Sequence, residues 1–69
     1  MKNFNVNVYT EDETLMSFDL EVRDLDTAMT VAMTRVNQDS TINFYRKNEQ
    51  RLMITISAAD GSESATQML

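Results

Sequence analysis

The chain has 69 residues, with six Lys/Arg against eleven Asp/Glu and a formal net charge of −5, and it has no His, no Cys, no Pro and one Gly. This length allows one domain with one core, and without Cys or His neither a disulfide nor a structural zinc site can support it. A His base and a Cys nucleophile are also excluded, so we expect no enzyme activity and no cofactor.

The charge balance and the apolar segments limit the partners and the location. Direct binding to nucleic acid is disfavoured, because phosphate contacts need clustered Lys and Arg, whereas an acidic domain fits a protein partner with a basic surface. No apolar run is long enough for a signal peptide or a membrane span, so we expect no membrane contact. The lack of Cys fits a reducing compartment, and we expect a complete chain in the cytoplasm, of the bacterial host cell if it is phage-encoded.

Two segments at the start of the chain alternate between apolar and polar residues, as strands with one buried face do. The apolar residues of the first are Phe4, Val6 and Val8. Those of the second are Met16, Phe18, Leu20 and Val22. The polar residues 10–13 between them predict a hairpin connection.

From Asp24 the apolar spacing changes to that of an amphipathic helix. Asp24 is the expected N-cap, Asp26 stands in the first turn, and the helix is expected to end near residues 37–40. The apolar positions are Leu25, Ala28, Met29, Ala32, Met33 and Val36.

Two further strands are predicted over residues 41–45 and 52–58, where apolar and polar residues alternate again. The polar residues 46–50 between them predict a hairpin loop, with the bases Arg46, Lys47 and Arg51 near its tip. After the Asp60-Gly61 turn signal, residues 62–69 either form a short fifth strand or fray. Fraying is favoured, because Ser, Ala and Gln are weak strand formers.

The resulting fold class is α+β, with a ββαββ order, a four-stranded antiparallel sheet in the order 2-1-3-4, and one helix on one face. Residues 1–60 form the single domain, and residues 61–69 form a C-terminal tail or fifth strand. The expected core is Phe4, Val6, Val8, Phe18, Leu20, Val22, Leu25, Met29, Ala32, Val36, Ile42, Phe44, Leu52, Ile54 and Ile56.

Acidic residues concentrate around the second strand, which this topology places at an edge of the sheet. Residues 11–26 contain seven acids and one base, Arg23. Such charges either protect an edge strand from aggregation or dock against a basic groove of a partner, for example one built for nucleic acid. This candidate surface, called the acidic edge below, consists of Glu11, Asp12, Glu13, Asp19, Glu21, Asp24 and Asp26.

A second candidate surface is the face of the sheet that the helix leaves open. Tyr9, Asn43, Tyr45 and Met53 are predicted to lie on it, together with other polar residues. Amphipathic Tyr beside adaptable Asn and Met fits a protein contact, and an ordinary solvated sheet face is the alternative.

The composition still allows a catalytic mechanism that uses two carboxylates, and the candidate pairs are Asp19 with Glu21 and Asp24 with Asp26. The carboxylates of residues 11–13 and 60–63 lack the spacing of a calcium loop, so we interpret them as solvated turns and expect no metal site.

Residues 17–28 combine alternating apolar residues, an Asp cap and a Leu-x-x-Ala helix start. In this junction, in size and in acidity, the chain resembles small phage-encoded proteins that modulate the host, such as the RNA polymerase inhibitors of T7-like phages and anti-CRISPR proteins. The resemblance implies a stoichiometric protein that binds and blocks or redirects a larger host machine. The leading hypothesis is therefore a non-enzymatic protein-interaction module, and the alternative is a structural domain that forms a homodimer.

Overall fold

The computed structural model describes residues 1–48 and 51–69, and its elements follow the order ββααββ. They are β1 (Lys2–Tyr9), β2 (Thr14–Val22), α1 (Leu25–Asn37), α2 (Ser40–Lys47), β3 (Met53–Ala58) and β4 (Ser64–Met68).

The four strands form one antiparallel sheet in the order β2-β1-β3-β4, with β2 and β4 at its edges. The α+β class and the strand order 2-1-3-4 are confirmed. The strands that occupy the third and fourth places differ from those predicted, because residues 53–58 pair with β1 and residues 64–68 form the outer strand.

The core lies between one face of the sheet and the helices. Side chains of β1, β2 and β3 alternate into it, and α1 adds a stripe of small residues that allows close approach to the sheet. The buried apolar residues are Phe4, Val6, Val8, Leu20, Ala28, Ala32, Val36, Ile42, Leu52, Ile54, Ile56 and Ala58. Phe18, Val22, Leu25 and Met29, predicted for the core, are partly buried against it.

The prediction of a strand over residues 41–45 is wrong, since these residues belong to the helix α2. Asp39 caps this helix, because its side chain accepts a hydrogen bond from the backbone N–H of Ile42 at 3.1 Å. Ile42 is buried and Tyr45, three residues later, packs against the core, whereas Phe44 is 63% exposed. The inward face therefore has helical spacing, and the placement of Phe44 in the core is wrong.

Contacts with the end of α1 also hold α2 in helical form. The side chain of Asn43 donates to the backbone carbonyl of Asn37 at 3.1 Å, and Arg46 donates to the Asn37 side chain at 2.8 Å. The first of these bonds satisfies a backbone carbonyl that the C-terminus of α1 leaves without an intrahelical partner. The fold therefore has two helices where the sequence predicted one, because α1 is the predicted helix and α2 replaces the predicted third strand.

The predicted hairpin loop over residues 46–50 is also revised. Arg46 and Lys47 form the last turn of α2, and Asn48 caps it. The remaining part of that prediction, Glu49 and Gln50, lies outside the described residues.

The C-terminal segment forms the strand β4, where the sequence favoured fraying. The turn before it has Gly61 at φ 77°, and the side chain of Asp60 accepts from the N–H of Ser62 at 2.9 Å. That hydrogen bond lowers the pKa of the Asp60 carboxyl. With residues 41–45 helical, the tail is the fourth strand of the sheet and not the fifth.

Candidate functional site: the acidic edge and the open sheet face

The acidic edge follows β2, the outermost strand on one side of the sheet. Asp19 and Glu21 lie on β2, residues 11–13 lie in the hairpin before it, and Asp24 and Asp26 lie where α1 begins. All seven acids are exposed. Because β2 has 9 residues and a strand rises about 3.4 Å per residue, the carboxylates are spread over about 27 Å or more along one side.

Three of these acids have intramolecular partners. Asp24 caps α1 by accepting from the N–H of Thr27 at 2.8 Å, as predicted, and this bond lowers the pKa of its carboxyl. Asp19 accepts from the Asn5 side chain at 3.1 Å. Glu13 accepts from the hydroxyl of Tyr45 at 2.9 Å.

The other four acids have no side-chain hydrogen bond or ion pair to any residue among those described. They are Glu11, Asp12, Glu21 and Asp26. The base within this region, Arg23, is exposed and lies 3.8 Å from Asp24. Negative charge on this side is therefore weakly neutralised, as charge-complementary docking requires.

The hydrogen bond between Tyr45 and Glu13 joins α2 to the β1–β2 hairpin, and it raises the pKa of the Tyr45 phenol. Because the folded protein holds this proton more tightly than the unfolded chain, the contribution to stability is present below the ordinary pKa of 10.0 and is lost as pH rises above it. We expect the ring Cζ resonance of Tyr45 to titrate at lower pH in Glu13→Gln than in the wild type. Glu11→Gln is the matched control and leaves that titration unchanged; equal titration in all three proteins would contradict the contact.

The open sheet face is a polar surface with two hydrogen-bonded rows. In one, Tyr9 and Thr55 share a hydrogen bond of 2.9 Å, and Thr55 and Thr66 share one of 3.0 Å. In the other, Asn7 donates to Asn5 at 2.6 Å and Asn5 donates to Asp19. The second row ends on the acidic edge, so the two candidate surfaces are continuous.

The predicted members of the open face are only partly placed there. Tyr9 and Met53 are neighbours across β1 and β3 and lie on it. Asn43 and Tyr45 do not, because both belong to α2, and their predicted position is corrected. Thr55 and Thr66 were missed; the signal for Thr55 was its polar place in an alternating strand, but Thr66 stands in a segment with weak strand propensity.

Within the described residues, the surface has two depressions and no grouping of acids that could hold a metal ion. Two shallow depressions of about 480 and 260 Å³ lie near Met1 and Lys2, and neither is lined by Asp19, Glu21 or the acids of α1. Among residues 1–48 and 51–69, no three acidic side chains are close enough to hold a metal ion. In the same part of the chain, no helix has the length and apolar character needed to cross a bilayer.

Comparison with protein-family models, with curated proteins and with solved structures gave no match to this chain.

Proposed function

We propose that this protein is a non-enzymatic interaction module that binds a protein partner with a basic surface through its acidic edge. The observation that carries the proposal is a set of four exposed carboxylates along one side of the sheet that have no intramolecular partner among residues 1–48 and 51–69: Glu11, Asp12, Glu21 and Asp26. Unpaired surface charges of one sign accelerate encounter with an oppositely charged partner and select against others.

The adjoining open sheet face supplies the uncharged part of the interface. Its amide and hydroxyl groups are held in place by hydrogen bonds within β1 and between strands, so little conformational freedom is lost when a partner covers them. Half-buried Tyr9 and Met53 add apolar contact area within this polar surface.

The partner is a component of a larger protein machine, and its basic groove is one that also accommodates nucleic acid. The module is of phage or bacterial origin and acts in the cytoplasm as a stoichiometric modulator. This part of the proposal rests on the resemblance of residues 17–28 and on the acidity of the chain, which suits competition for a surface that otherwise contacts phosphates.

The test is capture of proteins from bacterial lysate on immobilised protein at about 50 mM and about 500 mM salt, with identification by mass spectrometry. The screening length for exposed charges falls from more than 10 Å to a few ångströms between these two salt concentrations. We expect one stoichiometric partner that is retained at low salt and lost at high salt. Capture that is equal at both salt concentrations would contradict binding through charge.

A matched pair of variants assigns the binding to one side of the sheet. Glu21→Lys reverses a charge on the acidic edge, and Glu63→Lys makes the same change beside β4, where Glu63 pairs with Lys2 at 3.3 Å. We expect Glu21→Lys to weaken binding of the captured partner at least about tenfold, or about 1.4 kcal/mol, and Glu63→Lys to leave it nearly unchanged. Equal effects of the two variants would contradict a localised site.

A further inference from the structure

The outer side of β4 is a backbone edge that no strand covers among the described residues. The carbonyl of Glu63 and the N–H of Leu69 bond inward to β3, to Ala58 and Leu52. Because backbone direction alternates along an antiparallel strand, the N–H and C=O groups of Ser64, Thr66 and Met68 point outward. An edge of this kind is a template for pairing with another strand.

Apart from its short length of five residues, this edge lacks the devices that keep edge strands apart. Residues 64–68 contain no charge, no Pro and no Gly, and β4 pairs with β3 in a continuous register. The nearest acid, Glu63, is neutralised by Lys2. The opposite edge of the sheet, β2, carries Asp19 and Glu21, so the two edges differ in their protection.

We propose that two copies of this protein pair through β4 about a two-fold axis at Thr66, which forms an eight-stranded antiparallel sheet. In this register Thr66 faces its own copy, and Ser64 faces Met68 of the other copy. Every outward N–H and C=O group of these residues then finds a partner, because the outward positions are symmetric about Thr66.

The side chains of the open face are compatible with this arrangement. Tyr9, Thr55 and Thr66 already form a row of hydroxyl contacts at 2.9 and 3.0 Å. Pairing at Thr66 joins the rows of the two copies, and cross-strand Thr pairs stabilise sheets. Met68, which is 59% exposed, is partly covered by the second copy.

Charge also favours a second copy at this edge over any other edge pairing. Each chain carries a net charge of −5, which opposes most contacts between copies. In the β4 arrangement the two β2 strands are seven strand spacings apart, about 34 Å, well beyond the screening length of about 8–10 Å. Both acidic edges also remain free, so the pair would present two partner-binding sides.

The proposal does not rest on the function proposed above, because its test needs no partner. A short strand buries less area than a standard interface, so we expect weak association. In sedimentation equilibrium from about 10 µM to about 1 mM, the mass should rise from 7.9 kDa towards twice that value. A monomer throughout this range would overturn the proposal, and so would a mass that continues to rise as an open-ended assembly.

A matched pair of proline variants locates the contact. Thr66→Pro removes an outward N–H from β4 without removing a bond to β3, and proline is tolerated at such positions of edge strands. Ser17→Pro makes the same change on β2, since Ser17 lies in the same row across the sheet and its N–H also points outward. We expect Thr66→Pro to weaken the dimer at least tenfold and Ser17→Pro to leave it unchanged; the reverse would overturn the proposal.

A second pair of variants tests the register even if a proline perturbs folding. The chain has no Cys, so Thr66→Cys introduces a single thiol at the proposed axis, where the two Cα atoms would be about 5.5 Å apart, within disulfide range. We expect oxidised Thr66→Cys to form a disulfide dimer far faster than Ser17→Cys. Cross-linking between the two variants when mixed would show pairing of β4 with β2 and overturn the two-fold arrangement.

Discussion

Replacing Ile42 with Ala is expected to lower the free energy of unfolding by about 2–5 kcal/mol, the range for truncating a fully buried aliphatic side chain. Ile42 is 1% exposed and lies on the inner face of α2. A domain of this size has a total stability of only about 3–10 kcal/mol at roughly 0.05–0.15 kcal/mol per residue. The variant should therefore be at the limit of folding.

The matched control is Phe44→Ala, two residues later in the same helix. The Phe44 ring is 63% exposed and makes an edge contact with Tyr45 at a centroid distance of 5.9 Å, so we expect a loss below about 1 kcal/mol. Urea denaturation followed by circular dichroism measures both values. Equal losses would contradict α2, because a strand over residues 41–45 would bury both side chains on one face.

Removing residues 62–69 is expected to have an effect of similar size on stability. The deletion abolishes the β3–β4 ladder, including the bonds from Ala58 to Glu63 and from Leu69 to Leu52. It also exposes the flank of Ile54 and Ile56 that lies beside β4. At about 0.5–1.5 kcal/mol for each backbone hydrogen bond, plus the apolar contacts of Leu69, the loss should reach about 3–6 kcal/mol. Denaturation of the shortened chain measures it, and unchanged stability would show a frayed tail.

Two point variants separate the strand from the mere presence of the tail. Ala65→Pro removes an N–H that faces β3, opposite Ile56, and should cost about 1–3 kcal/mol because a ladder bond is lost and its acceptor is left unpaired. Thr66→Pro removes an outward N–H and should cost less when measured on dilute monomer. If both variants have the same stability as the wild type, β4 is not formed.

The parts of the fold that the sequence predicted correctly are those with a long, unambiguous period. The strands β1 and β2 are eight and nine residues long and alternate from Phe4 to Val8 and from Met16 to Val22, and α1 has both a helical apolar spacing and an Asp24 cap. In these segments the local preference of the residues and their burial in the fold favour the same structure, so the sequence pattern alone predicts it.

The segment that became α2 is ambiguous at the level of sequence. Ile42 and Phe44 satisfy a strand period while Ile42 and Tyr45 satisfy a helical one, and short segments cannot be assigned by periodicity alone. The contacts that decide the outcome are the Asp39 cap and the bonds to Asn37. The bonds to Asn37 depend on the end of α1 lying beside α2, which residues 41–45 do not reveal, whereas the Asp39 cap is a local contact with Ile42.

The candidate-site residues were likewise predicted correctly only where the strand or helix that carries them was predicted correctly. The acids were placed correctly along one edge because β2 was predicted with its neighbours and ends. Asn43 and Tyr45 were misplaced with the false strand. The weak strand formers of β4 gave no sign of pairing, since β3 supplies the template that orders them, and so the free edge at Thr66 was not predicted.

The central proposal is that the acidic edge and the adjoining open face bind the partner. Its most direct test is a ¹⁵N–¹H spectrum of the labelled protein with and without the partner captured at low salt. We predict that the amide signals that move or broaden belong to β2, the hairpin at residues 10–13, the start of α1 and the open-face residues of β1 and β3, and that these changes disappear at high salt. Changes confined to β4 or to the exposed face of α2 would contradict the proposal.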